Sequence, residues 1–473
     1  MSVGADYGLV RALQGRVADR MTATKQARDR DGQSPLTAAD ERQLALSFAR
    51  EAVARHRQGE IAAGLELPDP ALDVELVEAI DAAMFGAGAL QDLLDDPDVE
   101  NIDINGCDEV WVTYADDRGK VRGRSVAATD EDLVDLVRTL GSYAGINARP
   151  FTPATPELDL RLPDGSRLSA IMGACERPAV SIRRNRFPQM FLDDAPPVPL
   201  HANGSGARRP DRRSQDQATL VELGSVDAQL AAFLRAAVLA RCNLVIAGAT
   251  DAGKTTLLRA LVNCIPPTER LITVERALEL GLRRHPDLHP DVVEMEEVLA
   301  SAEGGGGVSI GALVRRTRRQ NPSRVIVGEV LGPEVVEMLS AMSQGNDGSL
   351  STIHARDAAD VFHRLATYAA QHEGLTFEVS HALIGSTIDY VVFVRKNPRL
   401  AGRRSVMEVL EVTGAADGRV TRSQIFTEGG DGRAARDGEV AIMRWRALAE
   451  AGYDDTAWAS VGDMSPSWAA GGG

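Results

Sequence analysis

The stretch GATDAGKTTLLRAL, Gly248 to Leu261, combines residue types and a spacing that could bind a polyphosphate. Four residues separate Gly248 from Gly253, and Lys254 and Thr255 follow directly. An apolar run before the stretch and a helical pattern after it give the order of strand, loop and helix that a phosphate-binding loop requires. In such a loop, backbone N–H groups and the helix N-terminus hold phosphate oxygens, the lysine neutralises the β- and γ-phosphates, and the hydroxyl ligates Mg²⁺.

The stretch therefore predicts a nucleotide site with Mg²⁺, in which Thr255 is a metal ligand. The predicted contact residues are Gly248, Ala249, Thr250, Asp251, Ala252, Gly253, Lys254, Thr255 and Thr256. Asp251 is a carboxylate in a loop that should hold an anion. Because backbone N–H groups hold the phosphate, the Asp251 side chain need only point outward, and Asp is a tolerated turn former. We expect Asp251 either to tune nucleotide affinity or to face an arginine of a neighbouring subunit.

Two downstream strands end in residues that could join this site. The run RVIVGE ends in Glu329, and an acid at the carboxyl edge of a sheet can reach the water shell of a magnesium ion. The run SLSTIH ends in His354. Many strands end in Glu at a surface, and a lone His after a strand is more often structural. The position of Glu329 downstream of a phosphate loop, at a plausible crossover distance, favours the functional interpretation.

Composition limits the class of protein. The chain has 473 residues, of which 44% are hydrophobic and 25% charged, so a globular protein of two or three domains is expected. Its formal net charge of −16 argues against extensive nucleic-acid binding. The sequence shows neither a leader peptide nor an apolar run of about 18 residues. We expect a cytoplasmic protein without a membrane span, peripheral at the inner face of the cell membrane through its partners.

The pattern along the chain predicts the elements that position these residues. Polar helical segments come first, then short alternating strands, then a Pro- and Gly-rich stretch, then apolar strands that alternate with helices. Continuous apolar strands suit a mostly parallel sheet that helices cover on both faces. The predicted parts are a helical N-terminal extension (1–74), a mixed α/β domain (75–190), a linker (191–220), the nucleotide domain (221–440) and a C-terminal tail (441–473).

Four segments together resemble the motor domain of the type II/type IV secretion ATPase superfamily. They correspond to its Walker A loop, Asp box, Walker B strand and His box, and they are GATDAGKTTLLRAL, RLITVERALEL, EGGGGVSIGALVRRTRRQNPSRVIVGEVLG and GNDGSLSTIHARD. The segments DPDVENIDING, LDLRLPDGSRLSA and SIRR are similar to the N-terminal domain of the tight-adherence (Tad) pilus and conjugation-like branch. The resemblance covers roughly residues 75 to 400.

The resemblance implies an α/β fold: a RecA-like P-loop motor domain, a smaller mixed α/β N-terminal domain and a helical N-terminal extension. It implies ATP and Mg²⁺ as cofactors. Glu279 corresponds to the catalytic glutamate, which positions or deprotonates the attacking water, and Lys254 to the catalytic lysine. Glu329 would orient the magnesium shell as a metal ligand, and His354 would sense the γ-phosphate.

The resemblance also implies that the N-terminal domain supplies arginines to the phosphates, some across a subunit boundary. The candidates are Arg161, Arg167, Arg183 and Arg184, and Arg319 matches a further family arginine. A permanently charged, planar guanidinium suits that use. For Arg161 and Arg167, a solvated basic turn is the alternative. The chain departs from the family pattern at Arg276, Asn321 and Leu331. These departures affect the expected rate and subunit contacts rather than nucleotide binding.

The leading hypothesis is a ring-forming ATPase, a homo-hexamer, that powers assembly or export by a Tad pilus or type IV secretion-like machine. Its expected partners are inner-membrane platform proteins. A nucleic-acid-translocating ring ATPase is one alternative, although no aromatic and basic channel is evident in the sequence. An ATP-binding switch with little turnover is another, motivated by Arg276 and Leu331.

Overall fold

The computed structural model describes residues 7–31, 34, 36, 38–64, 71–85, 88–115, 118–143, 151–162, 164–187, 189–195, 217–298, 306–400 and 402–458. The chain divides into two compact units, Met1–Arg186 and Phe187–Gly473. Most of the predicted linker (196–216), part of the predicted tail (459–473) and Pro163 of the LPDG turn lie outside the described residues. Within the parts of the chain that the structure describes, none of the helices has the length and apolar character needed to cross a bilayer.

Three long helices open the first unit and pack around a small core of their own. They are α1 (Tyr7–Arg30), α2 (Ala38–Ala62) and α3 (Ala71–Phe85). Each contributes buried side chains, among them Leu13, Ala49 and Ile80. The helical character predicted for the start of the chain is confirmed.

The rest of the first unit is a six-stranded antiparallel sheet in the order β3-β2-β1-β6-β5-β4. Its elements are α4 (Gln91–Asp95), β1 (Val99–Asn105), β2 (Val110–Tyr114), β3 (Lys120–Arg122), α5 (Asp130–Tyr143), β4 (Glu157–Arg161), β5 (Arg167–Ile171) and β6 (Ala179–Arg183). Ile102 and Ile104 alternate with more exposed residues on β1, so only one face of the sheet is buried. Leu133 and Val137, one helical turn apart on α5, join the same core.

The second unit is built on a nine-stranded sheet in the order β11-β10-β12-β13-β9-β14-β15-β16-β17. Its strands are β9 (Leu244–Gly248), β10 (Leu271–Glu275), β11 (Val292–Glu296), β12 (Arg324–Val330), β13 (Leu350–His354), β14 (Tyr390–Asn397), β15 (Arg403–Ala416), β16 (Arg419–Glu428) and β17 (Ala434–Arg436). The first six strands in this order, β11, β10, β12, β13, β9 and β14, pair in parallel. Beyond them, β15 pairs antiparallel with β14, β16 with β15, and β17 with β16. Two short strands, β7 (Gln189–Phe191) and β8 (Gln217–Thr219), form a separate parallel pair.

Helices cover both faces of this sheet. They are α6 (Ala228–Leu239), α7 (Lys254–Val262), α8 (Ile310–Thr317), α9 (Val335–Ser343), α10 (Asp360–Glu373), α11 (Phe377–Thr387) and α12 (Trp445–Glu450). On β9, Leu244 and Ile246 join the core formed with α6 and α7, whereas Val245 and Ala247 join the core formed with α8 to α11. The predicted α/β fold, with a parallel sheet buried on both faces, is confirmed. The antiparallel extension β15 to β17 was not predicted.

A buried ion-pair network lies at the start of β12. The Arg324 side chain is fully buried, and its Nη2 and Nε atoms donate to the two carboxylate oxygens of Glu269 at 2.7 and 2.8 Å. Arg324 Nη1 donates to the Val238 carbonyl at 2.7 Å, and Arg241 Nη1 lies 2.6 Å from Glu269. Glu269 therefore compensates a guanidinium that has no access to water.

We predict that Glu269→Gln lowers the free energy of unfolding by about 3 kcal/mol, because removing one partner of a buried pair leaves the other charge uncompensated. The control is Glu428→Gln, which breaks the exposed Arg395–Glu428 pair, 3.4 Å apart. That change should cost less than about 1 kcal/mol. Urea unfolding of the full-length variants measures both. Equal losses in the two variants would show that Glu269 is not the counter-charge on which Arg324 depends.

Candidate active site

The register of the parallel strands brings the predicted catalytic residues to one edge of the sheet. Strand β13 lies between β9 and β12, and His354 is in register with Gly248. On the other side of β13, Val330 is in register with Ile353, which places Glu329 beside the end of β13. The carboxyl ends of parallel strands are where α/β folds bind ligands. The phosphate-loop start, Glu329 and His354 therefore converge, as the sequence predicts.

The two glycines that define the phosphate loop are required by their surroundings. A Cβ atom on Gly248 would lie 2.4 Å from the Val394 carbonyl oxygen of β14. Gly253 has φ of 95°, a left-handed conformation that favours glycine, and immediately precedes α7. The first N–H groups of α7 have no acceptor within the helix, and this is the arrangement that binds phosphate oxygens in other proteins.

Lys254 is buried although it is charged, being only 7% exposed. Its Nζ donates to the carbonyl oxygens of Gly248 and Ala249 at 3.2 and 3.0 Å and lies 3.1 Å from His354 Nδ1. An ammonium group has three hydrogens to donate and no acceptor. These contacts place the ammonium at the junction of the loop with the end of β13.

The Lys254 contact fixes the tautomer of His354. Since Lys254 can only donate, Nδ1 of His354 must accept, and its Nε2–H then donates to Glu329 Oε1 at 2.6 Å. Burial, followed by the charge of Lys254, lowers the pKa of His354 below its usual value of 6.5. The imidazole is therefore neutral at pH 7 and links the lysine to the carboxylate.

The Asp-box segment is held by a buried glutamate to which the sequence interpretation gave no role. Glu275 is 3% exposed, and its Oε2 accepts hydrogen bonds from the N–H groups of Glu279 and Leu280 at 2.8 and 3.0 Å. Thr273 Oγ1 donates to the other oxygen at 3.2 Å. Glu275 thereby fixes the main chain that carries the half-buried Glu279.

Arg259 of α7 is a second residue that the sequence did not single out. Its Nη2 donates to the Glu279 carbonyl and its Nη1 to the Phe187 carbonyl, both at 2.8 Å. Phe187 is the first residue of the second unit. Arg259 therefore joins the helix that follows the phosphate loop to the Asp box and to the beginning of this unit.

Asp251, at the tip of the loop, contacts two cations of its own chain. Its carboxylate lies 2.6 Å from Lys396 Nζ and 3.0 Å from Arg404 Nη2. The arginine that faces Asp251 belongs to the same chain, and the hypothesis of an arginine from a neighbouring subunit stays a prediction. The neighbouring Ala249 and Thr250 are exposed, whereas Thr255 and Thr256, at the start of α7, are half-buried.

A comparison with known families decides the identity. The sequence profile of the family described as Type II/IV secretion system protein matches residues 85–429. The chain belongs to this family. The predicted type II/type IV secretion ATPase superfamily is thereby confirmed. The match includes the phosphate loop, the Asp box and the strands that end in Glu329 and His354.

Several relatives of this chain have names that refer to conjugal transfer or to type IV secretion. A Mycobacterium tuberculosis H37Rv protein with the provisional name conjugal transfer protein is 31% identical over 73% of this chain and 89% of its own length. PtlH, a type IV secretion system protein of Bordetella pertussis, is 31% identical over 69% of this chain and 94% of its own. The solved VirB11 ATPase of Brucella suis, in complex with sulphate, is 25% identical, covers 71% of this chain and 96% of its own, and has a TM-score of 0.35.

In the first unit, three of the four candidate arginines form a row across adjacent strands. Arg161 is in register with Arg167, and Arg167 with Arg183, on three adjacent strands. Each alternates with buried residues, so the row lies on the solvent side of the sheet. Like charges directly opposite one another destabilise a sheet. The register thus places three of the four predicted arginines side by side.

Arg184 directly follows β6 and has different surroundings from Arg183. Its Nη1 donates to the carbonyl oxygens of Leu93 and Asp96 at 2.7 and 3.2 Å, and its Nε lies 3.6 Å from Asp164. Burial lowers the pKa of Arg184. These contacts hold Arg184 within its own unit.

Each of the three departures from the family pattern has a definite local environment. Asn321 has φ of 51° in the turn before β12, a left-handed conformation that Asn tolerates better than Arg does. Arg276 is exposed and lies 3.3 Å from Glu297. Leu331 contributes its N–H group to Glu334, so its side chain plays no part in that contact. Arg319, predicted from the family, is exposed at the end of α8.

We predict that, in protein free of nucleotide and Mg²⁺, Lys254→Ala raises the pKa of His354 because it removes a positive charge that lowers this pKa. Glu329→Gln should lower the pKa further, because it removes a negative charge that raises it. Neutral imidazole reacts with diethyl pyrocarbonate, so the pH dependence of His354 modification, resolved by mass spectrometry, measures this pKa. In the wild type, the reaction should persist below pH 6.5. The stability that neutral His354 contributes is present above its unfolded-state pKa and is lost as the pH falls towards the folded value.

Lys25→Ala is the matched control, because Lys25 lies in the N-terminal helices and pairs with Glu41 at 2.8 Å. It should leave the His354 profile unchanged. A profile that is also unchanged in Lys254→Ala would contradict the contact between Lys254 and His354 from which the tautomer is assigned.

Proposed function

We propose that this chain is a motor ATPase that hydrolyses ATP to drive a type IV secretion-like or Tad pilus machine. The observation that carries the proposal is the hydrogen-bonded series from Lys254 through His354 to Glu329, at the edge of the sheet where the phosphate loop begins. Family membership and the conjugal-transfer and secretion names of its relatives support the same reading.

The residues at this edge fit a magnesium nucleotide. The N-terminus of α7 and the ammonium of Lys254 offer donors to phosphate oxygens, and the Thr255 hydroxyl and Glu329 carboxylate offer the oxygen ligands that Mg²⁺ prefers. When bound, Mg²⁺ would neutralise charge that develops on the phosphates. When nucleotide binds, Lys254 would donate to phosphate oxygens in place of the carbonyl oxygens of its own loop. Because His354 contacts both Lys254 and Glu329, this change would alter the contact between His354 and Glu329.

We assign Glu279 the role of general base. A carboxylate can accept a proton from the water that attacks the γ-phosphate. Two hydrogen bonds hold the main chain of Glu279. Its N–H group donates to the Glu275 carboxylate, and its carbonyl oxygen accepts from Arg259. Such positioning matters, because the alignment of the attacking group supplies much of the rate in phosphoryl transfer.

We also propose that the chain works as a homo-hexamer in which Arg161, Arg167 and Arg183 meet phosphates, some of them in a neighbouring subunit. Their cross-strand row concentrates positive charge on one exposed surface of the first unit. Arg184 would support that surface through its main-chain contacts. Inner-membrane platform proteins are the proposed partners, and the cytoplasmic face of the membrane is the proposed location.

Lys254→Ala should abolish ATP turnover and weaken nucleotide binding, whereas Glu279→Ala should abolish turnover and keep binding. The expected loss for Glu279→Ala is at least about 100-fold, the usual contribution of a general base. Phosphate release and the binding of a fluorescent ATP analogue measure the two properties.

Lys120→Ala controls for loss of a lysine in the first unit, where Lys120 pairs with Asp103 at 2.8 Å. It should match the wild type in both assays. Retained hydrolysis in purified Glu279→Ala protein would remove Glu279 from the role of base, and retained hydrolysis in Lys254→Ala would contradict the site itself.

A further inference from the structure

Asp251, at the tip of the phosphate loop, has an unfavourable backbone conformation that contacts from outside the loop must stabilise. Asp251 has φ of 62°, in the left-handed region that side chains other than glycine rarely adopt. Asp is among the residues that tolerate this region, yet the conformation still has to be held against alternatives. The support comes from the β14–β15 hairpin.

Both oxygens of the Asp251 carboxylate and its main-chain carbonyl are engaged by that hairpin. Lys396 Nζ lies 2.6 Å from Oδ2, and Arg404 Nη2 donates to Oδ1 at 3.0 Å. Arg404 Nε donates to the Asp251 carbonyl oxygen at 2.9 Å. Arg404 thus fixes the peptide as well as the side chain, which an ion pair alone would not do.

The two cations are themselves opposite one another. Lys396 on β14 is in register with Arg404 on β15, and like charges in that position repel. The Asp251 carboxylate contacts both, so it relieves the repulsion within the hairpin while the hairpin holds the loop. The stabilisation is mutual.

The hairpin also abuts both glycines of the loop. A Cβ atom at position 253 would lie 2.9 Å from Arg404 Cδ, so the stem of Arg404 would have to shift. The backbone of β14 does the same at Gly248, through the Val394 carbonyl. Strands β14 and β15 therefore lie against three positions of the loop, Gly248, Asp251 and Gly253.

We propose that Arg404, assisted by Lys396, is a positioning residue that holds the phosphate loop in its binding conformation through Asp251. The inference rests on the proposed nucleotide function of the loop. A loop that is already ordered loses less conformational entropy when it binds, so the contacts should strengthen ATP binding. Arg404 need not touch the nucleotide for this effect.

A purely electrostatic role makes the opposite prediction for one substitution. Asp251→Asn removes a negative charge near the phosphates and frees two cations, so electrostatics alone would tighten ATP binding. Positioning predicts weaker binding, because the amide cannot form the two ion pairs that hold the tip. Asn tolerates the left-handed conformation as well as Asp does, so the substitution adds no backbone strain.

The experiment measures the Kd of full-length protein for a fluorescent ATP analogue with Mg²⁺. Asp251→Asn and Arg404→Ala should each weaken binding about tenfold, and the double variant should be no more than about twofold weaker than either single variant, because both remove the same interaction. Hydrogen exchange in the peptide that spans 248–253 should be faster in each single variant. This readout reports the loop directly.

Arg395→Ala and Arg403→Ala are matched controls, being neighbours of Lys396 and Arg404 on the same strands. Arg395 pairs with Glu428, and Arg403 is exposed. Both should bind within about twofold of the wild type. Asp251→Asn that binds as tightly as the wild type or more tightly, or single effects that add in the double variant, would overturn the positioning role. Failure of the wild type to bind ATP would instead overturn the proposed function.

Discussion

The contacts of one buried ammonium group, that of Lys254, connect the parts of the candidate site in the second unit. Lys254 lies buried at the edge where β9 and β13 end, in contact with two carbonyl oxygens of its own loop and with His354. That position exists because β13 runs between the loop strand and β12, in a register that aligns His354 with Gly248. A shift of register would take His354 away from Lys254, and with it the link to Glu329.

Two arginines connect the loop region to the rest of the second unit. Arg259, on the helix after the loop, donates to the carbonyl oxygens of Glu279 and Phe187. Arg404, on the antiparallel hairpin, donates to the carbonyl oxygen of Asp251. Both arginines act on carbonyl oxygens, so they constrain the backbone and not only side chains. The loop is thereby linked through hydrogen bonds to the Asp box and to the start of the unit.

The sequence predicts the part of this site that follows from local pattern. The apolar strands, the loop between strand and helix, and the acid and histidine at strand ends all follow from periodicity and spacing, and parallel topology then brings Glu329 and His354 to the loop. The partners of Asp251 could not be predicted, because Arg404 lies 153 residues further along the chain and belongs to an extension that the pattern did not reveal. One signal was present: Lys396 is one of only four lysines. The arginine row was likewise hidden until the strand register aligned Arg161, Arg167 and Arg183.

The central claim is that these residues turn ATP over and do not merely bind it. Steady-state phosphate release by the wild-type protein with Mg²⁺, measured over a range of protein concentrations, tests that claim most directly. We expect continuous release, with a rate per subunit that rises with protein concentration as rings form and arginines reach phosphates of neighbouring subunits. Saturable ATP binding without phosphate release at any concentration would contradict the motor and identify the chain as an ATP-binding switch.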